Sequence, residues 1–241
     1  MDEGGIEMRF IIMDTPKEIG EAIAKDFVKL LSDKPNAVVG LATGSTPLPL
    51  YGAIIEAYKN QKISFKSATS FNLDEYVNPP KEEDTYRYFM KTNLFDHVDF
   101  KEGANHFPSA ENMKEYDSWI KEAGGIDLQI LGIGRDGHVG FNEPDTPFDS
   151  LTHLAELTEN TRQANARFFT GKDETPHQAI TMGLKTIYGA KHIVLIASDM
   201  TKVDAVRSLK KGVADVAWPC TSLLTHENVD IYLTKELFAA I

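Results

Sequence analysis

Short, uniformly apolar runs alternate along the chain with longer segments whose apolar residues recur every three or four positions. Met8–Met13 (MRFIIM), Ala37–Ala42 (AVVGLA), Ala68–Leu73 (ATSFNL), Leu128–Ile133 (LQILGI) and His192–Ala197 (HIVLIA) read as strands, with a last one near Val229–Leu233. Such runs suit strands buried on both faces. Between the first two, Ile19, Ile23, Phe27, Leu30 and Leu31 line one helical face. Thr15-Pro16-Lys17-Glu18 sets the start of that helix, combining a capping-box spacing with proline at the first helical position. Further helical faces are expected at Leu50, Ile54, Ala57 and Tyr58, through Phe89 and Leu94, over Glu111–Ala123, and around Val203, Val206 and Leu209. The stretch 145–171 has no long apolar run, and is expected to hold a short strand at Leu154–Leu157 and a helix from Thr158. Strands alternating with helices predict an α/β fold, a doubly wound, mostly parallel central sheet with helices on both faces (Rossmann-like). Neither a repeat nor a linker divides the pattern, so one domain spanning 1–241 is expected.

Composition narrows the partners. At 241 residues and 42% hydrophobic the chain can bury a large core. A formal net charge of −11 supplies no basic field, which argues against nucleic acid or an anionic membrane as partner while leaving room for a small anion in a local pocket. Cys220 is the only cysteine, so no disulfide framework exists. The opening MDEGGIEMRF lacks the basic and apolar regions of a signal peptide, and no apolar run is long enough to span a bilayer. A cytoplasmic protein is expected, with Met8 an alternative start.

In open α/β sheets ligands bind beyond the carboxyl ends of the strands, and the unusual polar residues fall there. Thr43, Gly44, Ser45 and Thr46 follow one strand and open a helix; they suit a phosphate cradle, or equally a tight turn with an N-cap. Asp74 ends another strand and is either a general base or a cap, with Glu75 facing the other way. The third strand runs into Gly132, Asp136, His138 and Glu143, closed by Pro144. The spacing of Gly132, Gly134 and Gly137 formally matches a dinucleotide fingerprint, but HVGFNEPDTP after it holds two prolines and no helical period, so the glycines are read as close-approach backbone for a smaller ligand. Asp136, His138 and Glu143 could coordinate a metal; with no second histidine at ligand spacing, an acid–base set is the better fit and no metal is expected. Arg167, directly before two aromatics, and Lys202, in the first turn of a helix, complete a plausible anion clamp.

TGSTP at 43–47, FNLDEYV at 71–77, GIGRDGHVGFNEP at 132–144 and ANARFF at 164–169 together resemble the glucosamine-6-phosphate deaminases, in that family's order and through nearly the whole chain. The resemblance implies conversion of glucosamine 6-phosphate and water to fructose 6-phosphate and ammonia without a cofactor. It implies that His138 opens the sugar ring, supported by Asp136 and Glu143, that Asp74 moves the C2 proton to C1, and that Thr43–Thr46, Gly132, Arg167 and Lys202 hold substrate. It also implies a lid near 150–180. The competing resemblance is 6-phosphogluconolactonase, which shares GxGxDGH; FNEP and NLDEY favour the deaminase, and the intact acid–base set weighs against a non-catalytic sensor of sugar phosphates. Larger relatives take an anionic effector through a basic pair after the NEP motif. His153 and Ala155 stand there and the chain ends soon after Leu237, so a non-allosteric monomer is expected.

Overall fold

A computed structural model describes residues 7–166, 169 and 175–241. Seven strands form one sheet: β1 (Glu7–Met13), β2 (Val38–Leu41), β3 (Thr69–Asn72), β5 (Asn105–His106), β6 (Leu128–Leu131), β9 (Ile193–Ala197) and β10 (Asn228–Thr234). Their order is β1-β10-β9-β6-β2-β3-β5, and every neighbouring pair is parallel. The strands β2, β6 and β9 are buried at every position, as a parallel sheet covered on both faces requires.

Among the described residues eight α-helices accompany the strands: α1 (Pro16–Asp33), α2 (Leu48–Lys59), α3 (Tyr86–Asn93), α4 (Tyr116–Glu122), α5 (Glu159–Asn165), α6 (Leu184–Tyr188), α7 (Val203–Lys210) and α8 (Lys235–Ala239). The crossovers carrying α1, α2 and α3 step toward the β5 edge, and those carrying α4 and α7 step toward β1. Right-handed crossovers therefore place the two groups on opposite faces. The direction of winding reverses between β2 and β6, which leaves a crevice outside their carboxyl ends. The α1 start has the anticipated capping box: Thr15 Oγ1 accepts from the Glu18 N–H at 3.2 Å, and the Glu18 carboxylate accepts from the Thr15 N–H at 3.2 Å.

A second, antiparallel sheet was not anticipated. It joins β4 (Asp74–Tyr76), β8 (Gln178–Thr181) and β7 (His153–Glu156) in the order β4-β8-β7. The chain passes from β3 to β4 through Leu73 alone, whose N–H donates to Leu41 O at 3.1 Å and whose carbonyl accepts from Met182 N–H at 2.7 Å. Asp74 therefore opens a strand of the small sheet as well as following one of the large. Strands of three and four residues are too short to show a period. The helix expected over Glu111–Ala123 begins only at Tyr116. Asn112 explains the delay: its side chain accepts from Ser109 N–H at 2.8 Å and donates to Phe107 O at 3.0 Å, competing locally with a helical turn. Of the stretch expected to act as a lid, β7, α5 and β8 are described, whereas residues 167, 168 and 170–174, Arg167 among them, lie outside the described residues.

Candidate active site

The crevice holds a cavity of about 150 Å³ lined by Thr43–Thr46, Asp74, Tyr86, Gly132, His138, Gly140 and Phe141, among others. A second hollow of about 130 Å³ shares Ile133, Gly134, His138 and Asn165 with it, and extends to Arg135, Asn160, Thr201 and Lys202. His138 thus stands between a chamber containing Asp74 and one containing Lys202.

The loop after β2 turns on Gly44. Gly44 has φ of 90°, a left-handed conformation that glycine adopts without steric cost. The helix α2 starts at Leu48, capped by Pro47 with no side-chain hydrogen bond, so the Ser45 and Thr46 hydroxyls do not serve as its N-cap. They remain on the cavity wall at the N-terminal end of a twelve-residue helix, where an anion is favoured.

Asp74 is buried, and no described residue donates a hydrogen bond to its carboxylate. Burial, followed by repulsion from the adjacent Glu75 carboxylate, pushes its pKa up to about 8. Asp74 caps no helix: Thr85 is the N-cap of α3, and Glu75 turns away from Asp74 and accepts from the N–H groups of Tyr76, Tyr86 and Arg87 at 2.9, 2.8 and 2.9 Å, anchoring the start of that helix. Tyr76, Tyr86 and Phe141 pack together beside Asp74 with ring centroids 4.7 to 6.1 Å apart; this apolar wall is what dries the carboxylate. It belongs to a small second core around the antiparallel sheet.

His138 Nδ1 lies 2.7 Å from Asp136 Oδ1 and 3.7 Å from Glu143 Oε2. The nearer contact is close, but it is not aligned as a hydrogen bond. The His138 N–H donates to Asp136 Oδ1 at 3.3 Å. Burial acts to raise the Asp136 pKa, but the His138 contacts outweigh it and hold the carboxyl down at about 2. Asp136 is therefore an anion across the neutral range, and it lies against the Nδ1 side of the imidazole. Both Glu143 carboxylate oxygens are buried without a hydrogen-bond partner among the described residues. Donor atoms of Asp136, His138 and Glu143 lie within 4.8 Å of one another, so the same trio has the geometry to hold a cation.

The glycines of this loop do not all approach a ligand. A Cβ on Gly132 would meet only Thr46 at 4.0 Å, so the space it leaves faces the cavity. A Cβ on Gly134 would come within 2.3 Å of the His138 ring, so that glycine makes room for the imidazole instead. Gly137 is likewise used internally, since a Cβ there would press on Trp218 and Cys220. Lys202 caps α7 at the far end of the second hollow, and Arg135, which no sequence pattern marks, lines the same space. Tyr86, Phe141 and Asn165 were also not foreseen. Nothing in a linear pattern distinguishes an aromatic that walls a cavity from one that fills a core.

A mostly parallel sheet of this order, with a crevice outside its strand ends at the switch point, defines a doubly wound α/β protein of the Rossmann-like class. The chain matches the family model for glucosamine-6-phosphate isomerases and 6-phosphogluconolactonases over residues 14–232, and it belongs to that family. Within the family it is 45% identical over 232 residues to a glucosamine-6-phosphate deaminase of Mycoplasma mycoides, covering 95% of each chain. It is 43% identical to one of Bacillus pumilus, covering 95% of this chain and 98% of that one. Its fold matches a solved structure of a monomeric glucosamine-6-phosphate deaminase with a TM-score of 0.94 and 36% identity, covering 97% of this chain and 100% of the other. A 6-phosphogluconolactonase from Thermotoga maritima shares the fold at a TM-score of 0.75 and 21% identity, covering 95% and 100% of the two chains. Among the described residues no helix is long and apolar enough to cross a membrane.

Proposed function

We propose that this protein is a glucosamine-6-phosphate deaminase, converting glucosamine 6-phosphate and water to fructose 6-phosphate and ammonia. The observation that carries the reading is a bare, buried carboxylate, Asp74, sharing a cavity with an imidazole whose Nδ1 is held between two acids. The phosphate would sit at the Thr43–Thr46 loop beside the start of α2, with Lys202 of the adjoining hollow adding a point charge and Gly132 leaving room for the sugar; Arg167, the other cation expected of the clamp, lies outside the described residues. His138 Nε2 would move a proton between the ring oxygen and the C1 hydroxyl to open the pyranose. Asp136 would fix its tautomer, and the Glu143 carboxylate would support the charge that develops on the ring.

In the open form Asp74 would take the C2 proton. A carboxylate with no hydrogen-bond donor is a stronger base than a solvated one, and a pKa near 8 suits proton transfer close to neutrality. Returning that proton to C1 turns the enolamine into an imine at C2; water adds there and ammonia leaves. No metal or organic cofactor is needed for any of these steps. The two positions hold His153, whose Nδ1 lies 2.8 Å from Leu151 O, and the buried Ala155, so the pair of permanent cations expected for an anionic effector is not found there. With the monomeric solved relative, this favours a monomer without effector control, acting in the cytoplasm as one domain with a cover around 150–180. The test is ammonia release from glucosamine 6-phosphate by purified protein, with and without EDTA. Absence of ammonia together with hydrolysis of 6-phosphogluconolactone would replace the reading by a lactonase, and loss of activity in EDTA would make the acidic trio a metal site.

A further inference from the structure

Asp74 accepts no hydrogen bond from any described residue, although a peptide turn packs directly against it. That turn is Gly140–Phe141. Gly140 has φ of 59°, and a Cβ on it would stand 3.6 Å from Asp74 Oδ2 and 2.8 Å from Thr181 Oγ1. The next N–H, that of Phe141, donates to Thr181 Oγ1 at 3.1 Å. Thr181 is fully buried and faces Asp74 across the pairing of β4 with β8. Its neighbour Met182 accepts from Asn142 Nδ2 at 2.8 Å and donates its N–H to Leu73 O at 2.7 Å. The end of β8 therefore ties the residue before Asp74 to the loop that carries His138 and Glu143.

We propose that Thr181 is a positioning residue: by engaging the Phe141 N–H, its hydroxyl holds the turn against Asp74 while keeping the carboxylate free of hydrogen-bond donors. The proposal deepens the deaminase reading and rests on it for its kinetic consequence. A buried N–H that loses its acceptor seeks another, and the Asp74 carboxylate is the acceptor alongside. Such a bond stabilises the charged form and makes Asp74 a weaker base.

The other ionisable groups facing Asp74 do not supply this control. Glu75 and Tyr76 come from β4, Tyr51 from α2, Tyr86 from α3, Tyr116 from α4 and His138 from the loop after β6. Burial holds the four tyrosines protonated, and Glu75 is occupied by the start of α3.

The experiment compares wild type with Thr181→Val, Thr181→Ala and Thr181→Ser. The Asp74 carboxyl is titrated by carbon NMR, and kcat is followed against pH for ammonia release. In the Val and Ala variants the Asp74 pKa and the acid limb of kcat are expected to move down by about one unit or more. Plateau kcat should fall roughly tenfold, with KM changed less than about threefold. Ser, which restores the hydroxyl, should match wild type. Ala guards against a Val variant that fails to fold by overpacking. An unmoved Asp74 titration in both, or a Ser variant displaced as far as Val, overturns the proposal. The NMR titration reads it independently of turnover, so a wild type that releases no ammonia counts against the deaminase reading alone.

Discussion

Gly134→Ala should disable the enzyme by displacing one side chain while leaving the fold intact. The Cβ it adds would stand 2.3 Å from both Cε1 and Nδ1 of His138 and 2.6 Å from Cγ. Ordinary carbon contacts need about 3.5 Å, so the imidazole must retreat by roughly 1 Å or rotate out of its place between Asp136 and Glu143. The Gly134 backbone is not in the left-handed region, so alanine adds no strain of its own. The atoms in the way belong to a side chain that can move, which keeps the stability cost toward the lower end of the ~1–3 kcal/mol usual for overpacking. A displacement of that size in a reacting group costs on the order of 100-fold in rate. Ammonia release should fall by about that factor, and more on the ring-closed substrate than on an open-chain analogue, since only the closed form needs His138 for ring opening. Thermal melting should move by only a few degrees. Wild-type kinetics in a folded Gly134→Ala protein would refute the argument, because the imidazole would then not need its position against the two acids.

Three further outcomes follow from the same geometry. Asp74→Asn should cut ammonia release by roughly 1,000-fold or more while leaving sugar-phosphate binding largely intact by calorimetry, since it removes a proton acceptor and little volume. The same substitution should raise stability at mildly alkaline pH. The carboxyl titrates near 3.8 when solvated and near 8 in the fold, so the folded state loses stability as pH rises through that window; the variant's advantage in melting temperature should be full above it and absent below it. Lys202→Ala should raise KM by about tenfold or more with kcat changed little, because a point charge at the anion end acts on bound substrate and transition state alike; a kcat loss at constant KM would place Lys202 in the chemistry instead.

The alternation of β1, α1, β2 and α2, the buried β6 and β9, and even the Thr15 capping box were legible in the sequence. Each depends on residues within one or two turns of one another, and local periodicity records that. The same held for the polar residues at strand ends: once a parallel sheet is granted, Thr43–Thr46, Asp74 and His138 must share an edge.

The tertiary structure alone decided what surrounds each of those groups. Asp74 could have been a cap by sequence, but Thr85 caps α3 and Glu75 accepts from the first two N–H groups of that helix, while Tyr76, Tyr86 and Phe141, brought in from separate segments, exclude water from Asp74. The loop glycines looked alike in sequence, yet Gly132 opens the cavity while Gly134 accommodates an imidazole four residues on. The antiparallel sheet that carries Asp74 was invisible because its strands are short and pair across about a hundred residues, from Asp74 to Thr181. Burial, dielectric and close contact are properties of neighbours in space, and a linear pattern encodes them only where those neighbours are also neighbours in the chain.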